Sequence, residues 1–272
     1  MIPQYVITFR EAFEVILLTV VIYSYLKKTG REQYTKYLLY GVFGASLASI
    51  FLGLSAYTLY ITAEVKALFE IGGSFLAVGI LTYVVNYMAK SSREIIQNLK
   101  AKVERLAIPT WGMFAIGFGI TIREGVETIL FMIPFFGVDT IENTLAGVIL
   151  GILSSFILAA LIYRLGVNLS IRKFFLYTSI LIIVIASGIL GYGIHELIEY
   201  MEDNGVDVGP LGYYIYNLNI DETSILHESN LVGGILSAMT GYASKMEIIR
   251  FFAQFGYLFT ALWIYLRVYL KK

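Results

Sequence analysis

The 272-residue chain has no cysteine. That excludes disulfides, iron–sulfur clusters, thiolate metal sites and cysteine nucleophiles, and it disfavours a carrier of soft metals such as Cu(I). Histidine is almost as scarce. The two present are His195 and His227, and neither follows a glutamate by three, so the Glu-x-x-His pattern of carboxylate di-iron bundles is missing. There is no excess charge of either sign: 20 basic residues balance 20 acidic ones, and nothing in that balance points to nucleic acid. Charge is sparse overall, at 15 % of residues, against 58 % hydrophobic and a mean hydropathy of +0.74. A soluble domain of this length needs far more polar surface, so the composition implies a polytopic membrane protein, all-α in fold class.

Apolar runs long enough to cross about 30 Å of hydrocarbon occur seven times, at about 2–26, 36–62, 65–89, 110–137, 143–163, 173–200 and 251–270. The first run has no basic segment before it and carries Arg10, Glu11 and Glu14, which makes it a poor signal peptide and a better first span. Basic residues segregate between the runs. Lys27, Lys28, Arg31 and Lys36 follow the first; Lys90, Arg93, Lys100, Lys102 and Arg105 the third; Arg164, Arg172 and Lys173 the fifth; Arg267, Lys271 and Lys272 the last. Only Lys66, Lys245 and Arg250 fall on the other side. The positive-inside rule therefore predicts an outer amino terminus and a cytoplasmic carboxyl terminus, as an odd number of spans requires.

Two of these runs contain charge where lipid-facing helices avoid it. Arg10-Glu11-Ala12-Phe13-Glu14 lies in the first, and Arg123-Glu124-Gly125-Val126-Glu127 in the fourth. Left unpaired, six such groups would cost roughly 15–20 kcal/mol at about 2.5–3.5 kcal/mol each. Arg10 with Glu14, and Arg123 with Glu127, stand four apart and can pair across a turn, which leaves Glu11 and Glu124 unmatched. Each Glu-x-x-Glu can turn both carboxylates toward one point in the bundle. Four glutamates (−4) and two arginines (+2) sum to −2, an excess that ion pairing does not explain and a hard cation would. A trivalent ion leaves +1, which Glu70 or a bound hydroxide would cancel.

The pentads also align the first three spans with the next three, in opposite directions. Such a 3+3 inverted repeat is a transporter signature, with the substrate site near mid-membrane. Arg10 falls about 12 Å from one end of its helix and Arg123 about 20 Å from the start of its own, so the two pentads can meet.

Fewer polar residues occupy membrane depth elsewhere. Glu70 opens the third run, as a further oxygen ligand or an interfacial acid. His195, Glu196 and Glu199 end the sixth run and repeat the Glu-x-x-Glu spacing, which suits a role in ion admission or relay. Gly147, Gly151 and Ser155 place small residues every fourth position, a helix-packing stripe and a candidate dimer face. Gly117, Gly119 and Gly125 permit either close approach or a local break in the helix of the second pentad. Residues 201–250 form an acidic outer segment in which Glu202, Asp203, Asp207, Asp221, Glu222, Glu228 and Glu247 outnumber Lys245 and Arg250. With Glu64, Asp139 and Glu142 it makes either a cation-concentrating vestibule or an ordinary solvated loop. Within it, 225–242 is apolar enough for an interfacial or re-entrant helix.

With its two Arg-Glu-x-x-Glu pentads, the acid at Glu70 and the His-Glu-Leu-x-Glu segment from His195, the chain resembles the high-affinity ferric iron permeases, the oxidase-dependent iron transporters. The resemblance covers nearly the whole sequence. It implies a multi-pass protein of the cell membrane, not an enzyme, with no cofactor of its own and ferric ion as its transported substrate. It assigns the iron path to Glu11, Glu14, Glu124 and Glu127. Arg10 and Arg123 set the charge balance, and oxidation falls to a separate ferroxidase partner, since no appended oxidase domain is expected here. A homo-oligomer surrounded by lipid is compatible with this reading. The competing readings are a carrier of ferrous, manganous or another hard cation, a proton-coupled carrier, and a membrane carboxylate-metal enzyme. A prenyl transferase fits poorly, because it would want aspartate-rich motifs.

Overall fold

The computed structural model describes residues 1–62, 66–91, 110–136, 140–165, 171–221, 223–227 and 230–270. Arg93, Lys100, Lys102, Arg105, Lys271, Lys272, Glu64, Asp139, Glu222 and Glu228, named above for topology or for the acidic segment and loops, lie outside them. Numbered in chain order among the described residues, the long helices are α1 (Ile2–Lys28), α2 (Thr35–Thr62), α3 (Lys66–Ser91), α4 (Thr110–Met132), α5 (Ile141–Leu165) and α6 (Ile171–Asp203). A short helix α7 (Leu231–Thr240) and a long α8 (Ile248–Leu270) follow. These bounds agree with the apolar runs to within a few residues. Pro3 in the first turn of α1 occupies a position whose N–H has no helical partner anyway, and Lys27 and Lys28 complement the dipole at its other end. The fourth run stops being α-helical at Met132, short of 137, because Pro134 cannot donate and turns 133–135 into a 3-10 step.

Among the described residues, five helical stretches are long and apolar enough to cross a membrane: Glu32–Thr62, Lys66–Tyr87, Ile141–Ile162, Lys173–Asp203 and Ile248–Leu270. The remaining long helices, α1 and α4, have 27 and 23 residues, and at 1.5 Å per residue they reach about 40 and 35 Å. What separates them from the other five is the charge of their pentads.

Burial divides the bundle into a centre and a periphery. In α6, 56 % of the apolar stretch is buried, against 17 % in α2 and in α5. Leu39, Phe43, Leu47, Ile50, Phe51 and Leu54 of α2 point outward, as do Ile149, Leu153, Phe156 and Ile157 of α5. Aliphatic and aromatic faces of that size are what lipid solvates and water does not. The main core joins Ile7, Ala77, Leu81, Phe131, Ile182, Ile185, Ala186, Ile189 and Tyr265, drawn from α1, α3, α4, α6 and α8.

Helix pairing follows the small residues. Along α2 and α4, Gly41 lies against Phe114 and Phe118, Ser49 against Gly125 and Gly53 against Ile129, so these two helices ascend together. Along α1 and α5, Gly147 meets Met1, Gln4 and Tyr5, and Gly151 meets Tyr5, Thr8 and Phe9, so these two also run in parallel. The Gly147, Gly151 and Ser155 stripe, read as a candidate dimer face, is therefore spent inside the chain, where its glycines let α1 approach and Ser155 is fully buried. Gly117 and Gly125 serve close approach to α2, with α4 unbroken, whereas Gly119 faces nothing within 4 Å.

After α6 the chain forms a two-stranded antiparallel hairpin, β1 (Tyr214–Asn217) with β2 (Lys245–Glu247), which brackets α7. The helical stretch anticipated in 225–242 is thus α7. It packs on α6 and α1 and ends with Gly241 in the left-handed conformation, against Gly188 halfway along α6. Its terminal carbonyls are taken up by α8: Gln254 donates to the Thr240 carbonyl at 2.5 Å and Arg250 to that of Gly241 at 3.3 Å. A cation and an amide at a helix carboxyl end answer both the dipole and the orphan carbonyls.

Candidate metal centre

The two pentads meet. One carboxylate oxygen each from Glu11, Glu14 and Glu124 lie within 4.8 Å of one another, and all three residues are buried. This is a group of three oxygen donors from two helices, with no histidine or thiolate among them, at a spacing that one hard cation spans. Glu127 is buried alongside, and its carboxylate interacts electrostatically with Glu11.

The arginines treat the two pentads differently. Arg123 donates from Nε to Glu127 Oε1 at 2.9 Å and stands 3.8 Å from Glu124 Oε1, which is the pairing across one turn that spacing predicts. Its guanidinium is 43 % exposed and lies over the Tyr87 ring, 5.6 Å from the centroid. Arg10 is fully enclosed. It departs from the expected pairing, because its Nη1 donates to its neighbour Glu11 while Glu14 stands 3.9 Å from Nη2. A flexible side chain with no route to water settles on the nearest oxygen, and helical phase does not forbid a neighbour to a chain that long. Glu11 is therefore not the unmatched acid that the four-residue spacing implied.

Each of the four glutamates nevertheless keeps one oxygen that no hydrogen bond reaches. The Oε2 atoms of Glu11, Glu14, Glu124 and Glu127 are all buried without a hydrogen-bond partner. An orphaned buried carboxylate oxygen costs well over 1 kcal/mol, and four in one place call for a guest.

Glu70 does not join this group. Its Oε1 accepts from Tyr60 at 2.7 Å and its Oε2 from Tyr192 at 2.6 Å, so it belongs to a separate polar layer at the far end of α2 and the near end of α3. Glu196, half-buried one turn beyond Tyr192, interacts with Glu70 and Glu199 in that layer. His195 Nδ1 is 2.7 Å from Glu247 Oε1, and its Nε2 is 4.0 Å from Glu199 Oε2, with Glu199 exposed. Sequence reasoning missed Tyr60, Tyr192 and the burial of Glu247 and Arg250, two residues it had left in a solvated segment. Tyrosines are too common here for the relevant two to stand out. Glu247 sits just outside α8, and although burial opposes its charge, the hydrogen bond with His195 and the positive groups beside it hold its pKa below the usual carboxylate range.

Fold and site together define the class: a polytopic helical membrane protein with buried glutamates from two helices gathered at one place. The chain belongs to the iron permease FTR1 family, whose model matches residues 1–267. It is 39 % identical over 273 residues to an uncharacterized protein of Archaeoglobus fulgidus, covering 99 % of this chain and 96 % of the other. To proteins named ferrous iron permease EfeU it is 29 % identical in Yersinia pestis (268 residues, 96 % and 92 % coverage) and 28 % in Escherichia coli O6:K15:H31 (270 residues, 96 % and 94 %). No solved structure matches the chain. The family is one of permeases, so iron is the transported substrate of this class and not a resident cofactor.

Proposed function

We propose that this protein carries iron inward across the cell membrane as ferric ion, passing it through the cluster of Glu11, Glu14, Glu124 and Glu127, with Arg10 and Arg123 trimming the negative charge. The observation that carries this reading is the set of four buried carboxylate oxygens without hydrogen bonds. At mid-bilayer depth such oxygens are stabilised by a cation with few competing ligands, and the arginines keep net charge low enough for release. With Glu70 engaged by tyrosines, a ferric ion in the −2 cluster is neutralised by one hydroxide.

The single transmembrane domain comprises 1–89 as repeat one, 110–200 as repeat two, 201–250 as an outer segment and 251–272 as the closing helix. An inverted repeat is supported by the swapped packing, in which α2 of the first half runs beside α4 and α1 beside α5 of the second; the outer amino terminus rests on the segregation of basic residues. Oxidation of ferrous to ferric ion belongs to a separate ferroxidase.

The second reading is ferrous transport. A divalent ion balances the −2 cluster outright, and relatives at 28–29 % identity are named ferrous iron permeases. Uptake into proteoliposomes decides between them: radioiron is offered either as ferric citrate or as ferrous ion under anaerobic ascorbate. Ferric uptake alone supports the proposal, ferrous uptake alone the second reading, and turnover of an organic substrate without ion flux would remove both.

A further inference from the structure

Outside the pentad cluster, a second set of oxygen donors converges where the last turn of α2, the second turn of α3 and the outer third of α6 come together. Glu70, only 8 % exposed, receives the hydroxyls of Tyr60 and Tyr192 on its two oxygens, at 2.7 and 2.6 Å. Tyr192 is also within hydrogen-bonding reach of Glu196. The two phenol oxygens thus stand 2.6–2.7 Å from the Glu70 carboxylate, close to the roughly 2.9 Å between neighbouring ligands of a cation with bonds of about 2.0–2.1 Å, and Glu196 adjoins Tyr192.

A second observation shows that these bonds do not exhaust the donors here. Ser74 follows Glu70 by one turn of α3 and faces Gly193, next to Tyr192. It is fully buried, and its hydroxyl has no hydrogen-bond partner. Helical serines usually bond back to the carbonyl four residues earlier, as Ser46, Ser49 and Ser55 do in α2. Ser74 makes no such bond where α3 meets Gly193, one turn from Glu70.

We propose that Tyr60, Glu70, Tyr192 and Glu196 form a second iron site, separate from the pentads, that takes ferric ion on phenolate oxygens and so admits iron by oxidation state. This rests on the iron reading above. Binding makes bonds from the ion to Tyr60 Oη, Tyr192 Oη and the Glu70 carboxylate. Two phenolic protons leave, one to Glu196 and one to water, and nothing is oxidised or reduced. Displacing those protons demands a strongly polarising ion, which ferric ion is and ferrous ion is not. Ser74 Oγ or a water beside it completes the shell.

The test is spectroscopic and uses the purified full chain in detergent, titrated with ferric citrate and, anaerobically, with ferrous ion. Ferric ion is expected to raise a phenolate-to-iron charge-transfer band in the visible, with tyrosinate ring modes enhanced in resonance Raman; ferrous ion raises neither. Tyr60→Phe and Tyr192→Phe each lower the band by about half or more, and the double variant abolishes it. Glu14→Gln and Glu127→Gln keep the band while losing transport. Iron that binds the unaltered chain without a band or tyrosinate modes overturns this site, whatever the variants do, and so does a band that survives in the folded double variant. A chain that transports iron without the band refutes this inference alone; one that shows the band but moves no iron refutes the transport proposal alone.

Discussion

The two polar layers of this bundle hold similar residues under opposite conditions. In the pentad layer, glutamates are held by arginines yet each keeps a buried oxygen with no hydrogen bond. In the layer around Glu70 the acid is held by neutral phenols, and both of its oxygens are engaged. A carboxylate that guanidinium covers only in part keeps one oxygen without a hydrogen bond; one wrapped in hydroxyl donors has both oxygens taken. The difference teaches that the count of acids does not tell the two layers apart, whereas the count of acid oxygens left without a hydrogen bond does.

The sharpest way to break this comparison is to remove one open oxygen pair. Glu14→Ala or Glu127→Ala should cut iron uptake by proteoliposomes at least about 100-fold, since even supporting partners of a metal site are worth about 10–100-fold. Insertion and folding, followed by size-exclusion profile and helical circular dichroism, should persist. Normal uptake by either variant removes the pentad layer from the path.

Within the pentad layer the arginines should differ. Arg10 is enclosed and Arg123 is half-exposed. Breaking the enclosed pair by Arg10→Met should cost about 3–5 kcal/mol, whereas Arg123→Met should cost about 1 kcal/mol or less. Thermal unfolding in detergent, with equal losses as the adverse result, measures the contrast.

Packing beneath the second pentad gives a smaller effect. A Cβ at Gly125 would overlap the Ser49 hydroxyl, so Gly125→Val should destabilise by about 1–3 kcal/mol, and Ser49→Gly should recover part of it. Gly119→Ala, which meets nothing within 4 Å, should be neutral or slightly stabilising in the same unfolding assay.

The smallest effect concerns the end of the bundle that carries His195 and Glu247. Because the folded-state pKa of Glu247 is depressed, its contribution is present above the unfolded value of about 4.3 and is lost as pH falls through the folded value. The melting temperature should therefore drop below about pH 4.3 in the parent and drop less in Glu247→Gln. Parallel pH curves would show that the His195 contact contributes nothing.

Much of the architecture was legible because hydrophobic length is a local property. Runs of apolar residues mark helices wherever the chain goes next, and Pro134 explains the one boundary that fell short. The pentads were legible for the complementary reason: charge inside such runs has to be accounted for. What escaped was everything decided by which neighbour arrives. Arg10 chose Glu11 over Glu14, Glu70 found two tyrosines in place of the pentads, the Gly147 stripe met α1 in place of another subunit, and Glu247 and Arg250 turned out to be buried.

The sequence by itself determined that long apolar helices carry two charged turns, because burial of apolar length and the cost of buried charge depend on residue type alone. Only the tertiary structure decided that those turns touch, which arginine is sealed from water and which acid oxygens are left over. Those outcomes depend on distances between helices far apart in the chain, and a hydrogen bond is gained or lost over a few tenths of an ångström.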